Sequence, residues 1–235
     1  MPAIAALLFA AACGGDGGPT AVGTTASVRF FNATTGMPGS GAFTANGQFA
    51  PGSALAFGQS TPTCASLDAG TTSFGFGVAN PGGTGLDGVA ITTLNNQSLA
   101  AGGNFTVVTA GSTTSATLFL LYNTFSASLG SNQAAVRFVN LAPGTGTSAS
   151  TFNVLTGTLG SGPTTIFALD IAVGSPTPFA TVTSGSNSFT ALIGHQLDTV
   201  TGITLDLQAG TVNTIAIVPN ATSTGFQLIN IPSCS

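Results

Sequence analysis

Apolar and polar residues alternate along most of this chain, and Gly, Asn and Pro interrupt the alternation roughly every 8 to 12 residues. In SVRFFN at 27–32, Val28, Phe30 and Asn32 fall on one side of an extended backbone and Arg29 and Phe31 on the other. Phe74 with Phe76, and Phe105 with Val107, repeat the spacing. A period of two in short runs rich in Val, Ile, Thr and Phe predicts β-strands, and no stretch carries the period of an amphipathic helix. The expected fold class is all-β, built from antiparallel β-sandwich modules of the Ig-like or transthyretin-like kind. ATLFLLYN at 116–123 and GFQLINI at 225–231 read as closing strands.

The pattern repeats along the chain. SVRFFNAT at 27–34 returns as AVRFVNLA at 135–142, and LAAGGNFTVVTAG at 99–111 returns as LQAGTVNTIAIVP at 207–219 with the same offset. This places Gly102 on Gly210 and Thr106 on Thr214. ASLDAGTTSFGFG at 65–77 lies over ATVTSGSNSFTAL at 180–192 at a somewhat longer offset, as when homologous modules differ in their loops. Two tandem modules are therefore expected, at 27–123 and 134–235, joined by a linker at 124–133. The repeat-defining positions are Arg29 and Arg137, Phe30 and Phe138, and Asn32 and Asn140.

The VRFFN and VRFVN starts, the Gly-then-Thr strand of the LAAGGNFTVV type and the tandem arrangement resemble a bacterial family, domain of unknown function 4397 (DUF4397). That family is found in exported and lipid-anchored surface proteins, so the resemblance implies a fold and a location more than an activity. It covers nearly all of the chain after the leader. Family members commonly follow the motif with an Asp-containing, proline-flanked segment. This chain keeps Pro143 but has TGTSASTFNVL at 145–155, without an acid.

Charge changes the picture by exclusion. Only 3% of the 235 residues are charged, with Lys+Arg 2, Asp+Glu 6 and a net charge of −4. Thr, Ser, Asn and Gln must cover the surface. No basic stripe exists to neutralise phosphates, which excludes nucleic acid as a partner. The same shortage removes polybasic attraction to lipid headgroups, so membrane attachment needs an anchor. Ala3 to Ala12 (AIAALLFAAA) is an apolar run of signal-peptide length, and Cys13 follows it in an arrangement that resembles a bacterial lipobox. The expectation is a signal peptide at 1–12, then a lipidated Cys13 and a flexible Gly-rich tether at 13–26. Two features depart from the usual pattern: Ala10 stands where lipoproteins usually carry Leu, and no Lys or Arg precedes the run. The alternatives are an ordinary secreted protein or a buried apolar strand with a free thiol. The expected location is the cell envelope, lipid-anchored at the outer membrane or cell surface, and otherwise secreted. Cys64 and Cys234 then form an even pair in an oxidising compartment, which reads as a disulfide, with two unpaired thiols as the alternative.

Candidate chemistry is sparse. Arg29 and Arg137 are the only Arg or Lys residues and occupy equivalent positions. The structural reading lays each guanidinium across the outer or end surface of its sheet, stacked on Phe31 or Val139 and bonded to carbonyls or to an Asp such as Asp68 or Asp206. The functional reading makes each an anion or carboxylate clamp. His195 is the sole histidine, and a triad of a Ser, His195 and Asp198 or Asp206 has no G-x-S-x-G elbow to support it. The ligand set for zinc is missing, the calcium-loop pattern is absent around Asp87-Gly88, and GGTGLDG at 82–88 reads as a turn. No enzyme activity, cofactor or metal is expected. The leading function is a structural or interaction module displayed at the envelope, with a protein or polysaccharide partner. The alternatives are self-association into a surface layer or filament and, last, an extracellular hydrolase.

Overall fold

The computed structural model describes residues 24–142, 151–156, 165–193, 196–220 and 225–234. Among them are seventeen strands and no helix, so the chain is all-β. The first half contributes β1 (Thr25–Phe31), β2 (Thr34–Thr35), β3 (Gly41–Ala45), β4 (Gln48–Phe49), β5 (Ala65–Asp68), β6 (Gly70–Val78), β7 (Thr92–Leu99), β8 (Asn104–Ser112) and β9 (Thr117–Tyr122). The second contributes β10 (Gln133–Asn140), β11 (Phe152–Thr156), β12 (Thr165–Ile171), β13 (Ala180–Thr183), β14 (Gly185–Ile193), β15 (Gln196–Leu207), β16 (Val212–Pro219) and β17 (Phe226–Pro232).

Each VRF strand lies at the centre of a sheet. β1 runs parallel to β8, with Arg29 opposite Thr106, while β5 and β9 add antiparallel on either side. β10 runs parallel to β16, with Arg137 opposite Thr214, flanked in the same way by β13 and β17. Each of these sheets has a companion, ordered β4-β3-β6-β7 in the first half and β12-β11-β14-β15 in the second. The registers correspond between halves: Val28 faces Ala65 as Val136 faces Ala180, and Gly70 faces Leu99 as Gly185 faces Leu207.

The two faces of the central strands go to different cores. Val28, Phe30 and Val107 point toward Phe43, Phe74 and Phe76 of the companion sheet, and Phe30 and Phe43 meet with ring centroids 5.0 Å apart. Val136, Phe138 and Ile215 do the same against Phe152, Val154 and Phe189, with Phe138 and Phe189 at 5.3 Å. Two sandwiches account for these faces. The opposite faces meet each other. Phe31, Val108 and Leu121 from the first half form a third core with Val139, Leu141 and Val218 from the second. The four sheets therefore stack in layers, with β1, β8, β10 and β16 in the middle two. Burial on both faces explains why these four strands carry nearly unbroken apolar runs.

Contacts across the middle layer are reciprocal. Gly58, at φ +76°, approaches the Cδ1 of Ile229 in β17 so closely that a Cβ would sit 3.0 Å from it, and Gly174, also at φ +76°, lies against the ring of Phe119 in β9. Phe119 and Ile229 hold matching places on the closing strands, since Leu121 faces Thr106 as Ile231 faces Thr214. Only glycine suits both the left-handed backbone and the close approach.

Candidate functional site

The two arginines do not lie across an outer surface. Both point into the middle layer, where Arg29 is 8% exposed and Arg137 4%. Alternation dictates this: with Val28 and Phe30 committed to one core, Arg29 must share the other face with Phe31. Neither guanidinium bonds to Asp68 or Asp206. Arg137 is held by oxygens of other kinds. Its Nε donates to Thr214 Oγ1 at 3.0 Å, its Nη1 to the carbonyl of Tyr122 at 2.8 Å and its Nη2 to Asn123 Oδ1 at 2.5 Å. The guanidinium carbon also lies 4.5 Å from the centre of the Phe179 ring, a cation–π contact rather than stacking on Val139. Tyr122 and Asn123 end the first half, so Arg137 reaches across the interface.

Arg29 is served differently. Its Nη1 donates to the carbonyl of Thr61, and its buried Nε has no partner. The hydroxyl that would match Thr214 is Thr106 Oγ1, and Asn123 Nδ2 occupies it at 2.8 Å. Desolvation lowers both guanidinium groups from the ordinary arginine value, Arg137 to about 10, so both remain charged at neutral pH.

Asn32 and Asn140 act as buried connectors. Asn32 donates to the carbonyl of Leu55 and accepts from Thr34 N and Thr109 Oγ1; Asn140 donates to the carbonyl of Ile171 and accepts from Ala142 N. Phe30 and Phe138 are core rings. Cys64 and Cys234 are joined by a disulfide with Cα atoms 5.9 Å apart, tying the residue before β5 to the end of the second half. Cys13, Pro143 and His195 lie outside the described residues, and of Asp198 only the backbone is described. Among the described residues no three of His, Cys, Asp and Glu gather as a metal site.

The residues that sequence reasoning missed are Thr106, Asn123, Thr214 and Ser233. Asn123 and Ser233 each follow the last residue of a closing strand, β9 and β17. Comparing the two copies one position beyond those strands would have brought out the difference between them.

No curated protein matches the chain significantly in sequence. The model of one family does, over residues 26–151, from β1 through the first half and across β10. That match covers more than half of the chain and includes both VRF strands, and on it the chain belongs to the family described as Domain of unknown function (DUF4397).

Proposed function

We propose that the chain is a non-catalytic cell-envelope lipoprotein that displays two tandem DUF4397-type sandwiches as a structural or interaction module. In this reading residues 1–12 are the signal peptide, Cys13 carries the lipid, and 13–26 form the tether. The observation that carries the exported location is the Cys64–Cys234 bridge, because disulfides persist in oxidising compartments and are rare in the cytosol. The matching registers of the two halves support a second copy of the domain. With 3% charged residues, partner contact falls to neutral Thr, Ser and Asn side chains, which suits a protein or polysaccharide surface recognised by hydrogen bonds rather than by a steering field. Mass spectrometry of the mature N-terminus from fractionated host membranes is expected to find a diacylated or triacylated Cys13. An N-terminus at Pro2 or Ala3 would overturn the anchor.

A second reading, self-assembly, draws on β12. This strand ends its sheet and exposes Ile166 (60%) and Leu169 (55%), an apolar edge open to another chain. Size-exclusion chromatography and negative-stain microscopy are expected to show concentration-dependent oligomers under this reading. A monomer at all concentrations rules it out.

A further inference from the structure

The two arginines occupy equivalent positions, yet one environment is filled and the other is open. Asn123, one residue past β9, delivers its amide oxygen to Arg137. The equivalent residue past β17 is Ser233, because Tyr122 faces Phe105 in the first half as Pro232 faces Asn213 in the second. Serine is two heavy atoms shorter than asparagine. A cavity of about 500 Å³ opens on this side, lined by Arg29, Asp206, Asn213, Asn230, Pro232 and Ser233.

The walls of this cavity lack partners in a particular pattern. Arg29 Nε, Asn230 Oδ1 and Ser233 Oγ are all buried and unbonded. Asn230 is fixed by its Nδ2, which donates to Asn213 Oδ1 at 3.2 Å, leaving its oxygen as a free acceptor. Buried polar atoms rarely go unsatisfied, so three at one cavity call for an occupant. The filled half indicates its chemistry: beside Arg137 the place is taken by an sp² oxygen. A cation that lacks that oxygen favours a carboxylate, which accepts from Nε and from a serine hydroxyl together. The opposite need arises at Asn230 Oδ1, which requires a donor, and Asp206 adds a negative charge to the same wall. Arg29 spends its Nη1 on the Thr61 carbonyl rather than on Asp206.

We propose that this cavity binds a free α-amino acid. Its carboxylate meets Arg29 Nε and Ser233 Oγ, and its ammonium group faces Asn230 Oδ1 and Asp206. The separated opposite charges match a zwitterion, and the volume leaves room for a side chain.

The test uses the full chain with its disulfide intact. Twenty L-amino acids are screened by thermal shift at about 10 mM, a level suited to millimolar affinity, and hits are titrated by calorimetry. At least one amino acid is expected to raise Tm and bind saturably, while acetate and ethylamine do not. Ser233→Asn places an amide oxygen where Asn123 places its own. It is expected to raise the Tm of the unliganded protein by roughly 2–4 °C and to weaken amino-acid binding at least about tenfold, the loss expected for one charge-assisted hydrogen bond. Asp206→Asn, a substitution at the cavity wall, is expected to weaken binding without lowering Tm. Absence of any hit in the screen overturns the proposal, as does acetate binding as tightly as the best amino acid, or Ser233→Asn binding like the unchanged protein.

Discussion

Replacing both Cys64 and Cys234 with serine is expected to lower the stability of the folded chain by about 5 kcal/mol. The bridge closes a loop across a sequence separation of 170, and the chain-entropy cost removed from the unfolded state grows with the logarithm of that length, reaching about 5 kcal/mol here. For a chain of this size the loss corresponds to a fall in Tm of roughly 10–20 °C, measured by calorimetry with and without reductant and on the double variant. The effect should be global, because the bridge joins the first half beside β5 to the residue two places beyond β17. A double variant that melts within a few degrees of the parent would mean that the ends are already held together by packing alone.

Phe31→Ala is expected to cost about 3–5 kcal/mol, the usual range for emptying a fully buried phenylalanine site. Phe31 belongs to the third core, so the cavity opens between the halves rather than inside either sandwich. Urea unfolding followed by far-UV circular dichroism, which reports all the sheets, should coincide with unfolding followed by the fluorescence of Tyr122, which ends β9. Coincidence marks one cooperative unit, and the variant should shift the single transition without splitting it. Two separate transitions in the parent would show that the third core does not couple the halves.

The alternation in SVRFFN and AVRFVN made the strands, their facing and the repeat legible in the sequence. The third core was not. Apolar residues on both faces of a strand signal that each face is covered, but the pattern names no cover, and Phe31 and Val139 could equally have met a loop or another protein. The arginines were misplaced for a related reason. A charge is ordinarily carried to water, and only the folded chain reveals that Tyr122, Asn123, Thr214 and Phe179 converge to replace water around Arg137. The cavity beside Arg29 was less legible still, because it depends on one Asn-to-Ser difference just outside two strands.

The reciprocal contacts of Gly58 with Ile229 and Gly174 with Phe119 give the middle layer the form of a homodimer interface folded within one polypeptide. In a true homodimer a single codon would set both arginine environments, and plugging one would plug the other. Here Asn123 and Ser233 are encoded separately. One half can be fixed as scaffold while its twin stays free to change, and substitutions at position 233 can retune the open side without disturbing the closed one.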